Sequence, residues 1–397
     1  MARLRFSSTR RFMAIRLVRW RMILLMLAVA AAALWWSSSR PRMHPVVLVP
    51  GYASNELDAR LTELYRPGCG AHKSGWFRLF LNYTALHDDP AGVRCFADQM
   101  STTRVPFFGS THGFRHPDPD RRNFSYMDKL LERLEGAGYR DGAAMFGAPY
   151  DFRYAVAPAG HPSRIGTEFF RSLKSLVERA SQLNGDRPAI IVTHSYGGTL
   201  AHQFLIRQPL AWRRRFVRHF IPIAAPWGGL VLGMQALRKE YRSLQSSLWP
   251  LPSAKVFGAG QPLVSTKHRN YSASDVVGFL RDIGFGEGVG PYESRVLPLF
   301  EELPVCPRVP VTCVVGVGVP TPERMVYPRD DFEGTPGVDV GDGDGLVNLA
   351  SLVAVEPEWR RGGPYFRMVK VASVNHAAIL VDDRALGIVI REIQRAN

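Results

Sequence analysis

Short apolar runs, each closed by a small or turn-forming residue, alternate along this chain with segments of helical period. Val46-Val-Leu-Val49 is all β-branched or Leu and stops at Pro50-Gly51-Tyr52, which predicts a buried strand followed by a turn. Arg171 to Leu183 places Leu173, Leu176, Val177 and Ala180 on one face, the spacing of an amphipathic helix. Ala189-Ile-Ile-Val-Thr-His194 is a second β-branched run, and Thr199 to Arg207 is expected to be the helix after it. Ile221-Pro-Ile-Ala-Ala-Pro226 and Val311-Thr-Cys-Val-Val315 predict further parallel strands, and Tyr365-Phe-Arg-Met-Val-Lys-Val371 another strand. Strands alternating with helices are the pattern of an α/β domain with a parallel sheet.

Two stretches interrupt that alternation. Residues 53–125 carry Trp76, Phe77, Leu79, Phe80 and Leu81 on one short segment, and residues 230–305 are mixed, with Trp249-Pro-Leu-Pro252 and many Ser and Arg. Trp76 and Phe77 beside Lys73 and Arg78 suit insertion at an anionic lipid surface, where apolar rings and cations act together. The alternative is a buried aromatic cluster.

The start of the chain is different in kind. Met22 to Trp36 is an uncharged run of 15 residues preceded by seven Arg. It is short for a spanning helix of about 20 residues and within the range of a signal-peptide core. Two readings stay open: an uncleaved signal anchor, with basic residues 1–21 cytosolic by the positive-inside rule and the body lumenal, or a sequence cleaved near Ser37-Ser38-Ser39 to give a secreted or lysosomal protein. Either places residues 43–397 in the secretory pathway, which agrees with the glycosylation sequons at Asn82, Asn123 and Asn270. The same segment explains the formal net charge of +15: residues 1–42 hold nine Arg and no acid, leaving +6 for the remainder. That surplus comes with no nucleic-acid-binding motif, so no nucleic-acid partner is expected.

The candidate chemistry centres on Thr193-His-Ser195-Tyr-Gly197, directly after the second β-branched run. Strand, Ser between small residues, then helix is the pattern of a nucleophile elbow, with Thr193 where the commoner pentapeptide has Gly. Hydrolases of this kind carry the acid and then the histidine downstream. Gly341-Asp-Gly-Asp-Gly345 and then His376, in a loop after the Tyr365–Val371 strand, stand in that order. Ser195 is a weak nucleophile until a base takes its proton; His376 is that base, and an Asp would fix its tautomer. Asp344 is preferred because it directly precedes Gly-Leu-Val at the start of the next element, with Asp342 as fallback. The Asp-Gly run lacks the remaining ligands of a calcium loop, and no C-x-x-C zinc spacing occurs. Neither metal nor cofactor is expected.

These residues and others resemble the lecithin:cholesterol acyltransferase family, which includes lysosomal phospholipase A enzymes. The matching segments are His44-Pro-Val-Val-Leu-Val-Pro-Gly51, Ala148-Pro-Tyr-Asp-Phe-Arg153, Arg207-Gln-Pro-Leu-Ala-Trp212, Ala225-Pro-Trp-Gly-Gly229, Gly316-Val-Gly-Val-Pro-Thr-Pro322 and Gly341-Asp-Gly-Asp-Gly345, in family order. The resemblance implies an α/β-hydrolase fold with a lid and membrane-binding insertion at 53–125 and a cap insertion at 230–305. It implies Ser195, Asp344 and His376 as the triad, and the backbone N–H groups of Tyr52 and Tyr196 as oxyanion-hole donors, each worth about 3 kcal/mol of barrier. Asp151 and Arg153 match positions near the active site; a structural ion pair is the preferred reading.

Cys69 and Cys95 match the family's disulfide across the lid, closing a loop that would contribute about 3 kcal/mol by chain entropy. Cys313 matches half of a second bridge whose partner position, near Val355, holds no Cys. Cys306 and Cys313 are therefore either a local pair or two free buried thiols.

The activity implied is transfer of an acyl chain from a glycerophospholipid, through acyl-Ser195, to a sterol, another lipid alcohol or water. The partners expected are a phospholipid membrane surface and the lipid acceptor. A carboxylesterase acting on soluble esters and a catalytically inactive lipid-binding protein are the alternatives.

Overall fold

The computed structural model describes residues 22, 26, 43–60, 76–79, 103–114, 127–154, 158, 163–237, 245–332 and 334–397. The chain divides into Met1–Met43 and a second unit, His44–Asn397. Residues 1–21, and 22–36 apart from Met22 and Met26, lie outside the described residues. Among those that are described, no helix is long and apolar enough to cross a membrane.

The second unit is built on thirteen described strands, β1 Val46–Val49, β2 Leu57–Arg60, β3 Trp76–Leu79, β4 Thr103–Arg104, β5 Met145–Gly147, β6 Ala189–His194, β7 Val217–Ile223, β8 Val264–Ser265, β9 Asn270–Tyr271, β10 Val311–Val317, β11 Thr321–Val326, β12 Gly337–Gly341 and β13 Phe366–Ala372. Six form the central sheet in the order β13-β10-β7-β6-β1-β5, and every pairing in it is parallel. A parallel sheet is covered on both faces, so its inner strands are apolar throughout rather than alternating. β1 and β6 accordingly have no exposed residue.

Helices cover the sheet. α1 is Asp128–Gly136, α2 Arg164–Leu183, α3 Tyr196–Ile206 and α4 Asp383–Ala396. α2 starts seven residues before the Arg171 expected from periodicity, where the Ser163 hydroxyl accepts from Gly166 N–H at 3.2 Å, an N-cap that satisfies one of the first-turn donors. It buries Leu173, Leu176, Val177 and Ala180 against β1 and β6; full burial of such aliphatic side chains is worth about 1.5–3 kcal/mol each. α4 opens on the Asp382 carboxylate, which accepts from Arg384 and Ala385 N–H, and it buries Leu386, Val389 and Ile393. β7 starts at Val217 rather than the expected Ile221, because Arg218 and His219 are accommodated: Arg218 donates to Ala396 O at 2.7 Å and His219 bonds the Thr312 hydroxyl at 2.9 Å.

The two interrupting stretches contribute smaller sheets. In 53–125, β2 pairs antiparallel with β3 and β4; the backbone of Trp76 and Phe77 is on β3, while Cys69, Cys95, Asn82 and Asn123 lie outside the described residues. In 230–305, β8 pairs parallel with β11 and antiparallel with β9, so this stretch shares a four-stranded sheet, β12-β11-β8-β9, with the chain around residue 320. Asn270 is exposed on β9. Cys306 and Cys313 are free thiols, not a local pair; burial pushes both thiol pKa values up.

Candidate active site

The end of β6 and the start of α3 set the geometry. Ser195 stands between them at φ 52°, ψ −128°, a left-handed backbone that a non-glycine residue adopts only when its surroundings enforce it. What enforces it is close packing of α3 on the ends of β1 and β7. A Cβ at Gly197 would overlap the Pro50 carbonyl oxygen, and one at Gly198 would come within 2.6 Å of Ala225 Cβ. Gly198 also explains how Thr193 replaces the usual Gly: its missing side chain leaves room for the Thr193 hydroxyl, 3.3 Å from where that Cβ would be. The glycines therefore belong to the first turn of the helix, which starts at Tyr196 and not at Thr199.

The histidine arrives on the loop after β13. Its Nε2 is 2.9 Å from Ser195 Oγ, and its Nδ1 is 2.7 Å from Asp344 Oδ2. Asp344 is completely buried, yet each carboxylate oxygen is engaged: Oδ1 accepts from Leu346 N–H at 3.1 Å and Val347 N–H at 2.7 Å, while Oδ2 faces the imidazole. Burying a carboxylate is costly unless it is hydrogen-bonded, and here two amides and a ring N–H meet it. The Asp344 carbonyl also accepts from His376 N–H at 2.8 Å. Asp342, the fallback, is exposed and turned elsewhere, its Oδ1 accepting from Gly318 N–H at 2.6 Å. It closes the turn after β10 and does not meet His376.

The side chain that follows the serine is packed among aromatic rings. The Tyr196 ring packs edge-on to Tyr52 at 6.1 Å and to Trp249 at 4.9 Å, and tilted against Tyr150 at 6.0 Å. Tyr52 is on the turn after β1 and Tyr196 is the first residue of α3, whose first-turn amides face outward along the helix axis. Ser246 Oγ lies 3.4 Å from the Tyr52 hydroxyl and Ser246 N–H donates to Arg153 O at 3.1 Å. Arg153 itself grips Asp151 with Nε at 2.8 Å and a terminal nitrogen at 2.5 Å. The pair is bidentate, with Asp151 buried and Arg153 half-buried.

One nearby residue escaped the reading of the sequence. His194, directly before the serine, directs its Nε2 at the His376 carbonyl oxygen, 2.9 Å away. Its adjacency to Ser195 was the available signal, but a strand-end histidine in an apolar run reads equally as packing.

A six-stranded parallel sheet with helices on it, a strained serine between strand and helix, and an Asp–His pair delivered from downstream loops define an enzyme of the α/β-hydrolase fold. A family model described as lecithin:cholesterol acyltransferase matches residues 76–244. The chain is 46% identical to the lecithin-cholesterol acyltransferase-like 1 of Oryza sativa subsp. japonica, over 89% of this chain and 87% of that one. It is 34% identical to the lysosomal phospholipase A and acyltransferase of Rattus norvegicus, over 79% and 81%. With the phosphatidylcholine-sterol acyltransferase of Mus musculus the identity is 31%, over 77% and 75%. The chain belongs to the lecithin:cholesterol acyltransferase family.

Proposed function

We propose that this enzyme is a serine-dependent lipid O-acyltransferase and phospholipase A. Ser195 Oγ attacks the ester carbonyl of a glycerophospholipid while His376 Nε2 takes its proton. Asp344, accepting from Nδ1–H, stabilises the imidazolium that forms. The N–H groups of Tyr52 and Tyr196 bind the oxyanion. The ester C–O bond then breaks, the lysophospholipid oxygen leaves with the proton from His376, and acyl-Ser195 remains. An acceptor hydroxyl, deprotonated by His376, attacks the acyl carbon, the acyl–Oγ bond breaks, and Ser195 Oγ leaves with the proton returned from His376. Water as acceptor gives a fatty acid; a sterol or another lipid alcohol gives a new ester.

The observation that carries this reading is the continuous chain from buried Asp344 through His376 to Ser195, at 2.7 and 2.9 Å. The names of the relatives supply the substrate class: an acyltransferase and phospholipase in one case, a phosphatidylcholine-to-sterol transferase in the other. Residues 53–125 would form the lid and membrane-binding insertion, with Trp76 and Phe77 entering the lipid surface, and 230–305 the cap. The Arg-flanked apolar run at 22–36 supports delivery into the secretory pathway.

The test is turnover of phosphatidylcholine vesicles carrying a labelled acyl chain, with sterol and a ceramide analogue present, at acidic and neutral pH. Label in a sterol ester or an acyl-ceramide names a transferase acceptor, and label in free fatty acid alone names water. Ser195→Ala must abolish all of these. Release that persists in that variant refutes the mechanism.

A further inference from the structure

The mechanism above uses Ser195, Asp344 and His376, and gives no part to the second imidazole beside them. His194 is the last residue of β6, is 2% exposed, and its ring centroid lies 4.8 Å from that of His376. A carbonyl oxygen only accepts, so at 2.9 Å from the His376 oxygen it is Nε2 of His194 that carries the proton and donates. Burial first, and then the charge on His376, hold the His194 pKa well below the usual histidine range. The ring is thus a neutral donor, and it adds no competing charge when its neighbour becomes cationic.

The bonds to His376 divide into two pairs. Asp344 takes the backbone N–H with its carbonyl and the Nδ1 side of the ring with its carboxylate. At the other end, Nε2 meets Ser195 Oγ and the backbone carbonyl meets His194 Nε2. The two residues of that second pair are consecutive in sequence. The nucleophile and the group that fixes the main chain of its base are therefore carried by one peptide unit, at the end of a fully buried strand. The part His194 Nε2 takes is that of a donor to main chain, since it meets the His376 carbonyl and it is His376 Nε2 that meets the serine.

We infer that His194 is a positioning residue, which registers the His376 loop to Ser195 through the His376 carbonyl. The inference rests on the roles given above to Ser195 and His376. A base displaced by about 1 Å costs on the order of 100-fold, so loss of this one bond should appear in the chemical step and not in binding.

The experiment compares full-length wild type with His194→Leu, which removes the donor, and His194→Gln, which keeps an amide donor of similar reach. Two readouts are taken: kcat and KM on the labelled phosphatidylcholine vesicles, and the rate at which a fluorophosphonate labels Ser195. The Leu variant should lose about 10- to 100-fold in kcat and in labelling rate with KM within about threefold. The Gln variant should recover to within about fivefold of wild type. If the Leu variant fails to fold, His194→Asn, polar but too short to reach the carbonyl, takes its place with the same expectation.

Wild-type kcat in the donor-less variant overturns the inference, as does a Gln variant as slow as the donor-less one while both melt like wild type. Fluorophosphonate labelling needs only an activated serine, so it reads His194 even if phosphatidylcholine is not turned over. That outcome counts against the proposed substrate and not against the positioning role. Label uptake that survives Ser195→Ala overturns both.

Discussion

Replacing Asp344 by Asn tests the triad by tautomer and not by volume. The two side chains are nearly isosteric, so the buried pocket keeps its packing, but one carboxylate oxygen becomes an NH2. The structure dictates which one. Oδ1 accepts from two backbone amides, Leu346 N–H and Val347 N–H, and an NH2 placed there would set donor against donor twice. The Asn carbonyl oxygen must therefore keep that position, and the NH2 must face His376 Nδ1, now 2.7 Å from Asp344 Oδ2. Nδ1 is forced to accept, the ring proton moves to Nε2, and Nε2, 2.9 Å from Ser195 Oγ, can no longer take the serine's proton. A serine enzyme with its histidine in the wrong tautomer loses about 10⁴-fold in kcat, equivalent to about 5.5 kcal/mol of barrier at 1.36 kcal/mol per decade. The assay is fatty-acid release from labelled phosphatidylcholine vesicles, with fluorophosphonate labelling of Ser195 and a thermal melt on the same preparations. Asp342→Asn is the control: among the described residues its exposed carboxylate meets the Gly318 amide and not His376, and activity should stay within about threefold. A loss under about tenfold in the Asp344 variant refutes the tautomer argument. So does an equal loss in the Asp342 variant.

Two further outcomes follow from the packing. Gly197→Ala places a methyl group on the Pro50 carbonyl oxygen, which is backbone and cannot swing aside. The variant should be insoluble, or lose at least about 3 kcal/mol in urea titration; near-wild-type stability would show that α3 need not sit so close to β1. The second outcome concerns pH. Burial pushes the His202 and His219 pKa values down to about 4, and His194 moves in the same direction. These rings are neutral when folded, while the unfolded chain binds protons below about 6.5. Stability should therefore fall as pH drops from about 6.5 to about 4, and level off below, by a few kcal/mol for each fully shifted ring. Denaturation midpoints measured across that window check it: a midpoint that holds or rises refutes it, and His219→Gln should flatten the slope.

What the sequence made legible is what its chemistry restricts to particular residue types. A serine lifted above a sheet needs a strand before it and a closely packed helix after it, and Ala189–Gly198 supplies a β-branched run, the serine and then two glycines. The preference for Asp344 over Asp342 rests in the sequence on the Gly-Leu-Val that follows it, and in the fold Leu346 and Val347 of that triplet supply the amides that meet its carboxylate. Element starts were less legible, each for a physical reason. α3 begins three residues early because Gly197 and Gly198 serve close approach and not a turn. β7 begins four residues early because His219 finds its partner at Thr312, 93 residues away, and no local pattern encodes a contact that distant.

His194 illustrates the same limit inside the active site. Along the chain it is one more residue at the end of an apolar strand, and its neighbours Thr193 and Ser195 carry the whole recognisable motif. Its partner is 182 positions downstream and is a backbone carbonyl, a group that every residue has and that no residue type advertises. A side chain that acts on another side chain leaves a complementary pair of letters in the sequence, as Asp344 and His376 do. A side chain that acts on main chain leaves only one, and the fold is needed to supply the other. The residues that orient a catalytic loop by its backbone are therefore the ones a motif omits, and around this serine the motif's own second letter is such a residue.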